Sequence, residues 1–259
     1  MKITTWNVNS VGARLQHLRD YLQKAAPDVA LLQELKCVEE AFPRMEIEDL
    51  GYNIALSGQK SYNGVAILSK HPIEDITTKL PGDDSDVEAR YIEAVVKNVR
   101  VASVYVPNGM EVGHDKFQYK LRFLKRLREH FGNLLQYDEK FVAGGDYNVA
   151  PEDIDVYDAK KSYGSICFHP DERAAFRGIM NMGLTDAFRA ANENVKKFSW
   201  WDYRAGAWQN NIGLRIDHLL LSPEAADKLV KCEIDVNWRA LDKPSDHTPV
   251  WCELKGADV

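Results

Sequence analysis

The chain has 259 residues, of which 45% are hydrophobic and 28% are charged, and its mean hydropathy is −0.40. This composition excludes an intrinsically disordered chain and indicates a soluble globular protein that is long enough to bury a sizeable core. The formal net charge of −6 argues against a protein that holds nucleic acid through a generally basic surface.

Apolar segments of strand length alternate with helical patterns along the whole chain. Strands are predicted at Ile3–Val8, Val29–Leu32, Gly51–Leu56, Gly64–Leu68, Tyr91–Val96, Val99–Val106, Phe141–Ala143, Leu214–Leu221 and Thr248–Leu254. Helices are predicted through Leu15, Leu18, Tyr21 and Leu22, and at Phe117–Phe131, Asp171–Met182 and Glu224–Val230. The polar segments Pro81–Glu88 and Pro151–Gly164 read as surface loops. The mixture predicts an α/β fold with mixed sheets, in one domain spanning residues 1–259.

The cysteines and the apolar segments bear on the compartment. Four cysteines lie far apart and form no C-x-x-C pair, so we expect reduced thiols and a cytoplasmic protein. No apolar run resembles a signal peptide or is long enough to span a bilayer, and we expect no membrane partner.

Polar side chains stand where several predicted strands end. Asn7 and Glu34 end the first two strands, Asp146 and Asn148 follow Phe141–Ala143, and Asp246–His247 precedes the last strand. Asp217 lies inside an apolar strand, where an unpaired carboxylate is costly. Because strand ends from distant parts of a chain converge on one rim of a layered sheet, we expect these groups to meet.

Carboxylates gathered at one rim would repel each other, and a divalent cation is the natural compensation. The candidate ligands are oxygen donors, with Glu34 foremost and Asn7 and Asp146 nearby, and they include no Cys/His cluster. Hard oxygen ligands favour Mg²⁺, with Mn²⁺ as a substitute, over zinc. The sequence therefore predicts a Mg²⁺ site of the kind that acts on phosphate esters.

Six motifs in order carry a resemblance to a known family. They are Trp-Asn-Val-Asn (6–9), Leu-Gln-Glu-Leu-Lys (32–36), Gly-Gln-Lys-Ser-Tyr-Asn-Gly-Val-Ala-Ile (58–67), Gly-Gly-Asp-Tyr-Asn-Val-Ala-Pro (144–151), Gly-Leu-Arg-Ile-Asp-His (213–218) and Pro-Ser-Asp-His-Thr-Pro-Val (244–250). Together they resemble the exonuclease III family of class II apurinic/apyrimidinic (AP) endonucleases, within the endonuclease/exonuclease/phosphatase superfamily. The match runs over essentially the whole chain.

The resemblance implies a four-layered α/β sandwich of the deoxyribonuclease I type, with two mixed sheets packed face to face and helices outside. It implies a Mg²⁺-dependent DNA repair hydrolase that cuts 5′ to abasic sites, with accompanying 3′→5′ exonuclease and 3′-phosphatase activities. The expected partner is double-stranded DNA with abasic sites or with blocked or recessed 3′ ends, bound by a monomer.

The resemblance also implies a role for each matching residue. Glu34 would bind the metal, with Asn7 and Asp246 linked to it, and Asp146 would activate the attacking water with Asn148 fixing its geometry. His247, oriented by Asp217, would donate to a phosphate oxygen. Tyr105 and Asn108 would contact the scissile phosphate or the leaving oxygen.

DNA contacts are expected from an aromatic loop and from scattered basic residues. The segment Phe198–Arg204 matches the loop that forms the family's pocket for an abasic deoxyribose, and Trp201 is predicted as a wall of that pocket. Adjacency to the motifs suggests backbone contacts from Arg14, Lys36, Lys60, Arg90 and Arg215.

Two other hypotheses stay open on the sequence alone. One keeps the catalytic rim but acts on inositol phosphates or phospholipids; Gly-Leu-Arg-Ile-Asp-His (213–218) and the aromatic loop favour DNA instead. The other is a catalytically silent binding protein, which the complete set of rim residues opposes. Asn9 departs from relatives that carry Asp there, which bears on how many metals bind.

Overall fold

The computed structural model describes residues 1–256, and its strands form two six-stranded mixed sheets. The first sheet contains β1 (Lys2–Asn7), β2 (Val29–Gln33), β3 (Asn53–Ser57), β4 (Val65–Ser69), β11 (Leu229–Ile234) and β12 (Val250–Leu254), in the spatial order β11-β12-β1-β2-β4-β3. The second contains β5 (Ile73–Thr77), β6 (Tyr91–Val96), β7 (Val99–Tyr105), β8 (Lys140–Asp146), β9 (Thr185–Asp186) and β10 (Asp217–Leu221), in the order β5-β6-β7-β8-β10-β9.

Seven α-helices in the described residues connect these strands. They are α1 (Leu15–Lys24), α2 (Arg44–Glu48), α3 (Asp115–Leu134), α4 (Ala159–Ser162), α5 (Pro170–Met180), α6 (Ala187–Ala191) and α7 (Pro223–Ala226). None of them is both long and apolar enough to cross a membrane. The longest, α3, buries one apolar stripe that includes Phe117, Phe123, Leu124, Leu127 and Phe131.

The hydrophobic core is arranged in three layers between the sheets and the helices. Side chains from both sheets, such as Leu31 and Val142, pack against each other in the central layer. The apolar stripes of α3 and α5 cover the outer face of the second sheet, and α1 and α2 cover the outer face of the first. This arrangement confirms the four-layered sandwich with helices outside.

Three predicted elements differ from those observed. The predicted helix Glu224–Val230 is only the short α7, which ends before the edge strand β11 begins at Leu229. The predicted strand Leu214–Leu221 starts at Asp217, because Leu214 forms only isolated bridges to Val156 and Trp200. The segment Pro151–Gly164 is not entirely a surface loop, because Asp155 within it is fully buried.

Candidate active site

The register of the sheets brings the polar strand ends together. In the second sheet, Tyr105, Asp146 and Asp217 are direct neighbours across β7, β8 and β10, so they form one row at the edge. In the first sheet, Asn7 ends β1, and Glu34 follows β2 in a left-handed conformation with φ of +53°. Since β1 packs against β8, the two rows face each other at one rim.

Glu34, Asp146 and His247 form the centre of this rim, with one ligand atom of each lying within 4.8 Å of the others. The amide nitrogen of Asn7 donates to Glu34 Oε1 at 2.8 Å and to Asp146 Oδ2 at 3.0 Å. The amide oxygen of Asn7 accepts the backbone N–H of Asn9 instead. Asn7 therefore orients the two carboxylates in this arrangement, and its predicted place among the metal ligands stays a prediction.

Asp217 orients the His247 ring and stabilises its protonated form. Its Nδ1 lies 2.9 Å from Asp217 Oδ2, and its Nε2 lies 3.6 Å from Asp146 Oδ2. The Ser199 hydroxyl also donates to Asp217, at 2.6 Å. Burial alone would lower the pKa of His247, but Asp217 and Asp146 outweigh it and raise that pKa to about 10. His247 is therefore an imidazolium at neutral pH, aimed into the rim.

The carboxylates at the rim exceed the cations that face them. Burial raises the pKa of Asp146, and the negative charges of Asp217 and Glu34 add to this, while His247 opposes it. Burial acts the same way on Glu34, but the ammonium of Lys36, 2.8 Å from Glu34 Oε2, lowers its pKa overall. A buried excess of oxygen-bearing negative charge beside an open cavity is the donor chemistry that suits Mg²⁺ or Mn²⁺.

Asp246 lies at the same rim but stands apart from that cluster. Its two oxygens accept hydrogen bonds from Asn9 Nδ2 at 2.8 Å and from Trp200 Nε1 at 3.0 Å. A metal-linked role for Asp246 stays a prediction. Asn9, the residue that departs from some relatives, serves here as a neutral partner of Asp246 and also accepts from Lys36.

Tyr105, Asn108 and Asn148 complete the rim on the side of the second sheet. Asn148 has a left-handed φ of +51°, and its backbone N–H donates to Asp146 Oδ1 at 2.9 Å. Its side-chain oxygen accepts from Asn108 Nδ2 at 3.0 Å. Burial raises the pKa of the Tyr105 hydroxyl well above its usual value, and the Arg90 guanidinium stacks 4.7 Å from its ring centroid. Tyr105 is therefore a neutral hydroxyl at the cavity.

A buried lysine beneath the two asparagines was missed by the sequence analysis. Lys120 Nζ donates to the backbone oxygens of Asn148 at 2.7 Å and Asn108 at 3.1 Å, and it also forms an ion pair with Glu172. The side chains of Lys120 and Glu172 are both fully buried. Lys120 is one of several basic residues on α3, but it follows Phe117 by three residues and so lies on the apolar stripe of that helix.

A cavity of about 300 Å³ opens beside these groups, and we call it the reaction cavity. Its polar lining includes Glu34, Asp146 and His247, and its apolar and aromatic lining includes Ile166, Cys167, Trp200, Leu214 and Ile216. Trp201, the predicted wall, does not line it. Because consecutive residues of an extended segment point to opposite sides, Trp201 packs inward against Phe198 and Trp208, and its neighbour Trp200 faces the cavity.

Arg215 cannot contact DNA as predicted, because only 1% of its surface is exposed. Its guanidinium lies 2.7 Å from both Asp155 Oδ1 and Asp186 Oδ2, and these charges raise its pKa against the opposing effect of burial. Asp155 also pairs with Arg189 at 2.6 Å. Arg215 therefore belongs to a structural ion network behind the rim.

The other basic residues predicted to touch DNA lie nearer the surface. Lys36 and Arg90 are tied to Glu34 and Glu88, and Arg14 donates to the backbone oxygens of Asn9 at 2.7 Å and Pro244 at 3.0 Å. Lys60 is exposed. Their contacts with DNA stay predictions.

Comparison with known proteins agrees with this geometry. The model of the endonuclease/exonuclease/phosphatase family matches residues 4–247. The chain is 36% identical to exodeoxyribonuclease III of Haemophilus influenzae, over 98% of this chain and 100% of that protein. It is 30% identical to the DNA repair nuclease APEX1 of Danio rerio, over 96% of this chain and 81% of that protein.

Two solved structures have nearly the same fold. The 3′ phosphatase NExo from Neisseria, bound to a product DNA hairpin, superposes with a TM-score of 0.96 at 40% identity, covering 98% of this chain and 99% of that one. An AP endonuclease from Archaeoglobus fulgidus gives a TM-score of 0.95 at 36% identity, with the same coverage of 98% and 99%. The chain therefore belongs to the endonuclease/exonuclease/phosphatase family of hydrolases, in the branch of the exodeoxyribonucleases III and AP endonucleases, as its motifs predicted.

Proposed function

We propose that this chain is a Mg²⁺-dependent DNA repair phosphodiesterase. It cuts double-stranded DNA 5′ to abasic sites, and it processes 3′ ends as a 3′→5′ exonuclease, a 3′-phosphatase and a 3′-phosphodiesterase. The observation that carries this proposal is the acid-rich cluster of Glu34, Asp146 and His247 opening directly into a cavity with an apolar far end. The names of the relatives, which include a DNA repair nuclease and a 3′ phosphatase bound to DNA, support it.

The metal fits the acid excess at the rim. Glu34 is the principal ligand that we assign, with Asp146 and, as the sequence predicts, Asp246 close to the same space. When bound, Mg²⁺ (or Mn²⁺ in its place) supplies Lewis-acid neutralisation of the charge on the phosphate and on the leaving oxygen.

The side chains divide the remaining work between the two faces of the phosphate. Asp146 accepts the proton of the attacking water, for which its raised pKa is suited, and Asn7 and the Asn148 backbone fix the orientation of its carboxylate. His247, charged and oriented by Asp217, donates to a non-bridging phosphate oxygen. Tyr105, kept as a neutral hydroxyl, donates to the phosphate or the leaving oxygen.

The apolar end of the reaction cavity receives the sugar next to the scissile bond. Trp200, Leu214 and Ile216 line this end, and an apolar wall suits a deoxyribose that has lost its base. We therefore propose Trp200, rather than Trp201, as the wall that the sugar contacts. We further propose that the enzyme acts as a cytoplasmic monomer.

A labelled-duplex panel tests the proposal. The panel contains an internal abasic analogue, a recessed 3′ end and a 3′-phosphate, each incubated with Mg²⁺, with Mn²⁺ and with EDTA. We expect cleavage of the abasic duplex and the 3′-phosphate with either metal, and none with EDTA. Absence of cleavage of every member under both metals would overturn the proposal, and turnover of inositol phosphates in place of DNA would assign the rim to a different branch.

A further inference from the structure

A second cavity of about 440 Å³ lies beside the reaction cavity, and we call it the side pocket. The two cavities share three lining residues, Ile166, Trp200 and Leu214. None of the three is ionisable, and none belongs to the cluster of Glu34, Asp146 and His247. The side pocket therefore adjoins the apolar and aromatic part of the lining, against which we propose that the sugar packs.

The size of the reaction cavity raises a question about undamaged DNA. An abasic sugar or a 3′-phosphate presents nothing beyond the deoxyribose, and the sugar fits against Trp200 and Ile216. A normal 3′-terminal nucleotide carries a base on that same sugar, and Glu34, Asp146 and His247 occupy the polar part of the cavity lining. The base must therefore leave the reaction cavity past Ile166, Trp200 or Leu214, which are the residues shared with the side pocket.

The lining of the side pocket suits a nucleobase. Tyr157, Phe168 and Trp200 offer aromatic side chains, and Ile212 and Leu214 add aliphatic contacts. Stacking on aromatic side chains accepts any base, because every base has a π-face. The polar groups are Ser162, Ser165, Asp158, Lys161, Asp202 and Arg204, of which Lys161 and Arg204 are the most exposed and paired only with the pocket's own acids. The pocket therefore offers stacking with few fixed polar contacts, as a site without base preference requires.

We propose that the side pocket is a nucleobase subsite that holds the base of an undamaged 3′-terminal nucleotide during exonucleolytic removal. It stays unused when the substrate is an abasic site or a 3′-phosphate. This inference rests on the proposed function. All of the proposed activities use the rim, and only the exonuclease activity also uses the side pocket.

Filling the pocket tests this division. Ser165→Trp and Ile212→Trp each place an indole in the side pocket from exposed positions that do not line the reaction cavity. Tyr163→Trp is the matched control, since Tyr163 is 66% exposed in the same segment and lines neither cavity. We expect both filling variants to lower kcat/KM for a recessed, undamaged 3′ end at least tenfold, and to change cleavage of the abasic analogue and the 3′-phosphate less than threefold. The control should change none of them.

Product inhibition gives a second measurement, and its first part, made on the wild-type enzyme, does not depend on the folding of any variant. Deoxyadenosine 5′-monophosphate should inhibit cleavage of the abasic duplex more strongly than deoxyribose 5-phosphate, and the filling variants should remove the difference. The inference is overturned if the two compounds inhibit equally, if the filling variants keep full exonuclease activity, if all activities fall together in folded variants, or if the wild-type enzyme cleaves the abasic duplex but lacks the exonuclease. A wild-type enzyme that cleaves none of the DNA substrates would instead refute the proposed function.

Discussion

The catalytic rim and the ion network behind it are both buried and charged, but their charges are balanced differently. At the rim, Asp146 and Asp217 face a single imidazolium, His247. In the network, Asp155 and Asp186 face Arg215, and Arg189 adds a second cation. The balanced network needs no further ion, whereas the excess of carboxylates at the rim suits the cation and the phosphate that we propose bind there. In this protein, an excess of buried negative charge indicates the candidate active site, and a balanced set of buried charges indicates a structural ion network.

The pair of Lys120 and Glu172 lies between these two cases. Its own charges cancel, so it resembles the network. The remaining donors of Lys120, however, hold the backbones of Asn108 and Asn148, which belong to the rim. A structural ion pair can thus hold residues of the rim in place from beneath.

The largest effect is expected from Glu34→Gln at the rim. Loss of the principal metal ligand should lower all DNA-cleaving activities on the order of a thousandfold, because metal stabilisation of the reacting charges is worth several kcal/mol. The free energy of unfolding in EDTA should fall only slightly, since the change loses the ion pair with Lys36 but also removes a negative charge beside Asp146. Mg²⁺ should raise the Tm of the wild-type protein and not that of the variant. A variant that loses one activity and keeps the others would contradict a shared metal site.

Arg215→Met should have the opposite signature in the balanced network. Removing the cation leaves Asp155 and Asp186 short of a partner, and breaking a buried ion pair in this way costs about 3–5 kcal/mol of unfolding free energy. The affinity of the folded protein for DNA should not change, because Arg215 is buried. Urea unfolding and a DNA-binding titration measure the two quantities. Weaker DNA binding with unchanged stability would restore the contact predicted from the sequence.

Lys120→Met should have an effect of intermediate size, and it tests whether Lys120 positions the rim residues or only stabilises the fold. We expect kcat to fall about 10- to 100-fold with a smaller change in KM, since two backbone oxygens lose donors worth about 1–3 kcal/mol each. The double variant Lys120→Met/Glu172→Leu should recover stability, because an apolar pair can replace a buried ion pair, but not kcat. Lys125→Met, on the exposed face of α3, is the control. Recovery of kcat in the double variant would show that Lys120 acts through stability alone.

The smallest effect is expected in the pH dependence of stability. Burial would raise the pKa of Asp186, but Arg215 and His218 outweigh it and hold that pKa far below the unfolded value of about 3.9. A depressed pKa contributes stability that is present above about pH 4 and is lost as the pH falls below it. Asp186→Asn should therefore make the fall in unfolding free energy between about pH 5 and pH 3 shallower. Asp171→Asn, at an exposed carboxylate of α5, should leave the slope unchanged.

Much of the fold and of the rim follows from local sequence. The hairpin of β6 and β7 was predicted within one residue, because alternating apolar runs and a short polar connection determine it locally. Edge strand β5 was missed, since its exposed residues Glu74 and Asp75 carry no such pattern. The motifs placed Glu34, Asp146, Asp217 and His247 correctly at one rim, because each of these polar groups lies within an apolar strand, directly follows one or stands just before one.

What the sequence could not determine is the direction of individual side chains and the identity of their distant partners. Trp200 and Trp201 are chemically alike, and only the bridges of Trp200 to Leu214 and His247 decide which indole faces the cavity. The sequence predicts a DNA contact for Arg215 and gives no sign that Lys120 is buried. Their partners Asp155, Asp186 and Glu172 lie far away in the chain and reach them only in the folded protein. A buried cation is stable only beside such partners, so its burial is a property of the tertiary structure. Local pattern determined where the chain bears chemistry, and long-range packing decided which charges face the substrate and which stabilise the fold.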